Sequence, residues 1–493
     1  MGKYIDHNYY LNNKKKLDLI LKYKIYKNNK LYLKEKTNLE YKTNNISLDK
    51  NQKEALFTEE CNTLVLASAG SGKTLTICAK VNLLIDNGIN PEEILVLSFT
   101  NNSVNDLKSK IDHNINIYTF HKLAIEILSD YNTYYSLSGD YLEYIIKEIF
   151  LSISKSISDE DLSYFIREIS SFIKLFKSYN LDRNYLKKIS NTKMLKVIEK
   201  IYDIYDNELN SQGLFDFNDV IRNAYELIKS KGLKRYYKYI IIDEFQDISK
   251  ERYNLVTVIR DSCNSKVFAV GDDFQSIYKF SGSTVDMIVN FKKYFGYTKV
   301  VKLNNTYRNS IELIRASNKF ITKNNYQIKK KIKSNKSINK PIKIIYYVKN
   351  MNIKFKKALD LLEGEVLILS RNNKDVKYIL DEDVVLRDDT IFYHTKEYSF
   401  KTVHKAKGLE CDNVILLNLN NSAYGFPNKI ENKLQMKILP RNKYLYEEER
   451  RLFYVALTRT KNNIYLLVDK QNPSIFVKEL LYNSKKYIEI INL

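Results

Sequence analysis

The residues most suited to chemistry in this chain lie in two short runs. The first is Ala67-Ser68-Ala69-Gly70-Ser71-Gly72-Lys73-Thr74, between the apolar run Leu64–Leu66 and a helical pattern. Small residues let successive backbone N–H groups curl around a phosphate, and the helix that follows adds the positive end of its dipole. Lys73 is then placed to reach the β- and γ-phosphates of a nucleoside triphosphate, and Thr74 to hold Mg²⁺. The second run is Ile240-Ile241-Ile242-Asp243-Glu244-Phe245-Gln246-Asp247, an apolar strand ending in adjacent carboxylates. Asp243 suits coordination of Mg²⁺, directly or through water, and Glu244 suits orienting or deprotonating an attacking water. An isolated Asp-Glu pair usually belongs to a solvated loop. Here it ends a buried strand in a chain that already carries a phosphate cradle.

Such runs need strand ends to carry them. Thr63–Leu66, Ile94–Leu97, Tyr239–Ile242 and Val267–Val270 read as buried strands, each followed by polar or small residues and then a helical pattern. That alternation predicts an α/β fold with a parallel sheet and crossover helices, whose ligands bind beyond the carboxyl ends of the strands. Lys122–Gly213 breaks the alternation and is helical in pattern, as in Tyr141–Leu151 and Leu162–Tyr179. It reads as a helical insertion. A second strand–helix series is expected from near Val300, with strands at Ile342–Val348, Val366–Leu369, Val414–Leu417 and Ile464–Val468. Residues 1–47 are rich in Lys, Asn and Tyr, with a helical stretch around Leu17–Tyr26 and no sustained heptad. The Lys-rich segment Lys329–Lys343 reads as a solvated surface loop, with a patch facing a polyanion such as DNA as the alternative.

A chain of 493 residues is too long for one simple core. No apolar run is long enough to cross a bilayer, and the opening Met1-Gly2-Lys3-Tyr4-Ile5-Asp6 fits neither a signal peptide nor a myristoylation site, so a cytoplasmic protein is expected. Cys61, Cys78, Cys263 and Cys411 lack the short spacings of zinc sites and read as free thiols. The formal net charge of +22 suits a polyanionic partner, although the abundance of Lys, Asn, Ile and Tyr is also what an AT-rich genome gives. Only 14 of the 80 basic residues are Arg, and none precedes Arg167. Arg308, Arg450, Arg451 and Arg459 nevertheless fall in the motifs below, which points to positions that need a planar, permanently charged group.

In their order, the two opening runs resemble motifs I and II of superfamily 1 helicases of the UvrD/Rep type. Seven further stretches resemble the remaining motifs. Leu48–Gln52 is similar to the Q motif, Ser98–Asn101 and Tyr118–His121 to motifs Ia and Ib, and Gly271–Tyr278 to motif III. Asn305–Arg308 is similar to motif IV, Thr402–Glu410 to motif V, and Glu448–Arg459 to motif VI. The likeness runs from about Leu48 to about Val468. Asp243–Ser249, Phe280-Ser281-Gly282 and Tyr424-Gly425-Phe426-Pro427 resemble the helicase IV branch of that family.

The resemblance implies two RecA-like domains in tandem. Residues 48–121 and 214–290 would form the first, 122–213 its helical insertion, and 291–493 the second, after a basic extension at 1–47. Only Lys374–Lys401 separates the strand Val366–Leu369 and its following turn from motif V, too little for the large helical subdomain that relatives insert there. ATP would lie between the domains, held by Ala67, Ser68, Ala69, Gly70, Ser71, Gly72, Lys73 and Thr74. Gln52 would read the adenine, Tyr307 stack on it and Glu410 bond the ribose. Gln275 would sense the γ-phosphate, and Arg308 and Arg459 would reach it from the second domain. Phe99 and Phe280 are the implied base-stacking residues, and Thr119, His121, Thr402 and His404 the implied phosphate contacts. The implied activity is an ATP-dependent 3′→5′ helicase or translocase in DNA repair or recombination. Its partner would be single-stranded DNA or DNA with a 3′ single-stranded tail. A UvrD-like ATPase that remodels a complex such as RNA polymerase is the alternative, but it would need a long coiled-coil arm that residues 1–47 do not supply. The sequence identifies no protein partner.

Overall fold

A computed structural model describes residues 3–7, 19–153, 156–430, 432–440 and 444–493. The first domain is built on strands β1 (Asn62–Leu66), β2 (Ile94–Ser98), β3 (Asn116–Thr119), β4 (Tyr239–Ile242), β5 (Lys266–Gly271) and β6 (Lys299–Lys302). They form one sheet in the order β6-β1-β5-β4-β2-β3, and every pairing is parallel. Alternate side chains feed two cores. Leu64, Leu66, Leu95, Leu97, Ile240 and Ile242 pack on one face. Val65, Val96, Ile241 and Val270 pack on the other, against Ile77 and Val81 of the helix Lys73–Asp86. Burial on both faces is why these strands read as continuous apolar runs.

The expectation that a second series opens near Val300 is corrected by β6. Lys299–Lys302 pairs in register with Thr63–Leu66 and closes the edge of the first sheet. Only Val301 of this strand is fully buried. So polar an edge strand carries no local sign of the sheet it joins. The chain then crosses to the helix Ile311–Ile321.

The second sheet comprises β7 (Ile342–Tyr347), β8 (Val366–Ser370), β9 (Val384–Arg387), β10 (Thr390–Tyr393), β11 (Lys396–Thr402), β12 (Cys411–Leu419), β13 (Thr460–Asp469) and β14 (Ile488–Ile491). Its order is β9-β10-β11-β8-β12-β13-β7-β14. It is parallel except for the antiparallel meander β9-β10-β11. That meander fills the short stretch before motif V.

Between β3 and β4 the chain is helical. Tyr141–Ile153, Asp159–Ser178, Arg183–Ile189 and Lys193–Gln212 surround a separate core that includes Ile146, Phe172, Phe176, Ile198 and Tyr205. The helix Leu19–Asn38 runs further than the expected stretch, whose first two residues lie outside the described ones, and buries Ile25 and Leu33 on the first domain. Among the described residues no helix is long and apolar enough to cross a membrane.

Candidate active site and nucleic-acid surface

The order β1-β5-β4 brings three carboxyl ends side by side, and these carry Ala67–Thr74, Gly271–Gln275 and Asp243–Glu244. The loop after β1 is tied to β5 by Ala67 N–H donating to Gly271 O (2.8 Å). It is folded on itself by Ser68 N–H to Ser71 Oγ (3.1 Å) and Ser71 N–H to Ser68 O (3.2 Å). Gly70 and Gly72 sit at φ +69° and +80°, where a side chain is strained. Space is short as well: a Cβ on Gly70 would stand 2.5 Å from Arg308 Cβ. The helix Lys73–Asp86 starts directly after Gly72, so Lys73 and Thr74 occupy its first turn.

Lys73 Nζ lies 2.8 Å from Glu244 Oε1. Burial works against the Lys73 charge, but Glu244, Asp272 and Asp243 together hold its pKa above the ordinary value. Burial likewise opposes ionised Glu244, yet Lys73 and then Lys407 hold this carboxyl well below the usual range. Asp243 goes the other way, raised by burial and by the adjacent Glu244 charge. Glu244 itself adopts φ +49°, and its N–H donates to Asp243 Oδ1 at 2.8 Å. The environment thus splits two neighbouring carboxyls into one firmly ionised group and one that resists ionisation. Asp243 is 5 % exposed. A buried carboxyl of this kind fits a divalent cation, with Thr74 nearby on the next strand end but one.

The second domain reaches into this cluster at several points. Arg459, 1 % exposed, donates from Nη2 to Gln275 Oε1 at 3.1 Å and from Nη1 to Leu409 O at 3.1 Å. Burial and the proximity of Arg308 pull its pKa down to about 9, which still leaves it cationic at neutral pH. Gln275 is held by its own Nε2, which donates to Asp272 Oδ2 at 2.6 Å. Arg308 donates from Nε to Glu410 Oε2 at 2.7 Å, and its Nη2 lies 2.6 Å from the same oxygen. Glu410, assigned to a ribose above, is therefore engaged with the arginine. The motif IV segment also grips the loop: Thr306 Oγ1 donates to Ala69 O (2.7 Å) and Tyr307 N–H to Gly70 O (2.9 Å).

Gln52 and Tyr307 meet at Asp49. Asp49 caps the helix Lys50–Phe57 in a reciprocal capping box with Gln52. Gln52 Oε1 accepts from Asp49 N–H (2.9 Å) and Nε2 donates to Ser71 O (3.2 Å), so both ends of the amide are engaged within the chain. Tyr307, 60 % exposed, donates its hydroxyl to Asp49 Oδ2 at 2.7 Å.

Two lysines stand in the cluster without having been singled out. Lys407 pairs with Asp247, donates to Gln275 O at 2.8 Å and lies 3.8 Å from Glu244 Oε2. Lys330 is 8 % exposed, donates to Ala67 O at 2.9 Å, lies 2.7 Å from Asp273 Oδ1 and also pairs with Asp272. This corrects the reading of Lys329–Lys343 as wholly solvated. Composition marks a basic segment but not which of its lysines turns inward.

The residues assigned to DNA fall in two sets, Phe280 with His404 and Thr402, and Phe99, Thr119 and His121 around the start of the helix Phe120–Asp130, in unequal settings. Phe280 is 50 % exposed, its ring 5.6 Å edge-on from His404 and 5.9 Å from Tyr278. Phe99 is only partly open, packed 5.1 Å from Phe120 and covered at 5.3 Å by the Arg252 guanidinium. Thr119 accepts Lys122 N–H at 3.2 Å as a helix cap, which leaves its O–H hydrogen able to donate. Thr402 is 9 % exposed at the end of β11. Burial, then Arg252, lowers the His121 pKa to about 4, and burial, then Arg371 and Lys407, lowers that of His404 to about 3. Both rings are neutral at pH 7, so they can hydrogen-bond a phosphate but bring no charge to it. Phe217, which the sequence reading passed over, stands exposed at 5.5 Å, edge-on to His121.

Two tandem domains built on largely parallel sheets, with a glycine-bearing loop and adjacent carboxylates on one and arginines reaching in from the other, define a two-domain RecA-like fold. Comparison with known families narrows this. Residues 48–296 match the UvrD/REP helicase N-terminal domain, and residues 384–471 match the UvrD-like helicase C-terminal domain. The chain belongs to the UvrD/Rep helicase family. DNA helicase IV of Escherichia coli is 27 % identical over 486 residues, covering 88 % of this chain and 69 % of that protein. A probable DNA helicase of Mycoplasma pneumoniae is 27 % identical over 489 residues, covering 90 % and 87 %. The ATP-dependent DNA helicase Rep of Buchnera aphidicola (subsp. Schizaphis graminum) is 30 % identical over 321 residues, covering 61 % and 48 %. The chain thus spans about half the length of such Rep relatives.

Proposed function

We propose that this chain is an ATP- and Mg²⁺-dependent motor that moves 3′→5′ along single-stranded DNA and unwinds duplexes bearing a 3′ tail, in DNA repair or recombination. The observation that carries this reading is the hydrogen bond from Arg459 of the second domain to Gln275 of the first, beside the Lys73–Glu244 pair. It supports a site whose chemistry depends on the two domains meeting. Polarity rests on the family likeness alone.

In this reading the loop Ala67–Gly72 cradles the ATP phosphates through the N–H groups it does not spend on itself or on β5, and Lys73 leaves Glu244 to neutralise them. That exchange frees the ionised Glu244 to orient and deprotonate water. Thr74 and Asp243 would hold Mg²⁺, which when bound would neutralise charge on the phosphate oxygens. Arg308 and Arg459 stabilise the charge that develops on the transferred phosphoryl group, and Gln275 reports its presence. Tyr307 stacks on the adenine and Gln52 serves its edge. Glu410 serves the ribose once Arg308 has turned to phosphate. Loss of the γ-phosphate removes what holds the arginines across the cleft, so the domains part and re-close with each cycle. Phe280, Phe99 and Phe217 offer stacking faces that need no particular base sequence. Thr119, His121, Thr402 and His404 donate to the backbone. The test is the ATPase rate without nucleic acid and with single-stranded DNA, RNA or duplex DNA, together with strand displacement from 3′- and 5′-tailed duplexes. Stimulation by single-stranded DNA and opening of the 3′-tailed substrate are expected. Hydrolysis indifferent to DNA would contradict the motor reading, and displacement from 5′ tails alone would reverse the polarity.

A further inference from the structure

Behind the motif III segment lies a cavity of about 410 Å³, distinct from the nucleotide cleft and from the exposed Phe280 surface. Its lining includes Tyr179, Lys250, Lys279, Ser283, Tyr294 and Tyr326. Three parts of the molecule enclose it. Tyr179 ends the helix Asp159–Ser178 of the insertion, Lys250–Tyr294 belong to the first domain, and Pro440 and Arg451 come from the second. Its volume falls within the range of small-molecule sites.

Two of its wall tyrosines are pinned at their hydroxyls. Tyr294 donates its hydroxyl to Asp286 Oδ2 at 2.6 Å, Tyr326 donates to the other oxygen of Asp286, and Asn290 Nδ2 donates to the Tyr326 hydroxyl at 2.6 Å. Clamping the hydroxyls in this way leaves two aromatic rings fixed as apolar faces. Most of the lining cations are engaged: Arg451 Nε donates to Ser276 O at 2.5 Å, and Lys279 Nζ to Pro440 O at 2.9 Å.

Two lining hydroxyls are not engaged, and one lining cation meets only a ring. Among the described residues, the buried Tyr179 Oη and Ser283 Oγ have no hydrogen-bond partner, and Ser283 is 2 % exposed. Lys250 has no hydrogen-bond or ion-pair partner among the described residues either. Its Nζ sits 4.6 Å from the centre of the Tyr253 ring. Buried hydroxyls and a partly buried cation are costly to leave in this state. Asp286 and Glu447 also line the cavity, Asp286 with its oxygens taken up by the two tyrosine hydroxyls, so the anion position lies on the Lys250 side; with the free hydroxyls, that side is the complement of a flat ring with polar edges joined to an anion.

We propose that this cavity binds a nucleoside monophosphate unit, the base between the tyrosines and the phosphate on Lys250. The unit comes either from a nucleotide of the bound DNA strand or from a free mononucleotide. Phe280 lies three residues before Ser283, so a strand stacked on Phe280 passes close to the cavity. Occupancy would join the insertion, the motif III segment and the second domain through one ligand, which makes the site suited to sensing or steadying their closure. The strand source rests on the motor reading, whereas the free-nucleotide source does not, and the two arms of the test keep them apart.

The experiment uses the full chain with its ATP site filled by a hydrolysis-resistant ATP analogue and Mg²⁺. One arm adds 5-iodo-dUMP. The other adds an oligo-dT strand carrying 5-iodo-dU at one position at a time. Ultraviolet crosslinks are then mapped to peptides. Crosslinks to Tyr179, Tyr294 or Tyr326 from the oligonucleotide alone assign the strand as source, and from 5-iodo-dUMP the free nucleotide. Lys250→Met should weaken that capture by about tenfold, the loss of one charge-assisted contact. Its melting temperature should hold, because Met keeps the apolar stem and only a ring contact of the cation is lost. Ser283→Ala is the second variant and should weaken capture less. Absence of crosslinks to all three tyrosines, or wild-type capture by Lys250→Met, overturns the proposal. If DNA-stimulated hydrolysis persists in that case, the motor reading stands.

Discussion

Phe280→Ala separates gripping DNA from hydrolysing ATP. The ring is 50 % exposed and meets His404 and Tyr278 only edge-on. Truncating a fully buried Phe costs about 3–5 kcal/mol. At half exposure the loss should be about 2 kcal/mol, a fall in melting temperature of about 2–4 °C for a chain of this size. The stacking role predicts a larger effect elsewhere. Loss of one base–aromatic stack should weaken single-stranded DNA binding by about 1–3 kcal/mol, or roughly 5- to 150-fold in Kd. The hydrolysis groups Lys73, Glu244, Gln275 and Arg459 are untouched, so the basal rate without DNA should stay near wild type while DNA stimulation and translocation fall together. Fluorescence anisotropy with labelled oligo-dT gives Kd, and a coupled ATPase assay gives both rates. A large fall in melting temperature with unchanged affinity per folded molecule would refute the reasoning and make Phe280 a packing residue.

Other perturbations test the cleft. Arg459→Lys keeps a charge but loses the fork that reaches Gln275 and Leu409, so kcat should fall by about 10³-fold with DNA affinity retained; wild-type hydrolysis in a single-turnover assay would contradict cleft closure. Gly70→Ala puts a Cβ 2.5 Å from Arg308 Cβ at φ +69°, so nucleotide binding measured by a fluorescent ATP analogue should weaken sharply. Lys330→Met strands Asp272 and Asp273 in the interior and should cost about 3–5 kcal/mol in urea unfolding; a neutral result would show that Lys330 does not hold the strand ends. His121 and His404 titrate well below the ordinary 6.5 because burial disfavours their charged forms. The unfolded chain therefore takes up protons first, and stability should fall as pH drops from about 6.5 toward 4. His404→Gln should flatten that fall, as read from urea midpoints at each pH.

The cluster proposed to hold the nucleotide was legible because its residues are local. Ala67–Thr74 and Asp243–Glu244 each follow an apolar strand, and a strand end is where a parallel sheet binds ligands. What escaped the sequence is non-local. Lys330 looks like any other lysine between Lys329 and Lys343, and only the tertiary fold places it against Asp272 and Asp273. Lys407 sits in a recognised motif, yet its contact with Asp247 crosses between domains. Asp49-Lys50-Asn51-Gln52 did carry a local signal, the spacing of a capping box, which would have shown Gln52 tied to its own helix start. Val300 was assigned to the wrong sheet because β6 has too few apolar residues to reveal its partner. The exposure of Phe217 and the partial cover of Phe99 are properties of packing that no spacing announces.

Glu244→Gln tests the central claim most directly. The substitution keeps the shape of the side chain and removes the base, while the cradle of Ala67–Gly72, Lys73 and Thr74 stays in place. The measurement is steady-state ATP hydrolysis with saturating single-stranded DNA, alongside the Kd of a fluorescent ATP analogue. The account predicts intact nucleotide binding and turnover lower by at least about 10²-fold, the range of a lost general base. Near-normal DNA-stimulated turnover in Glu244→Gln would contradict it.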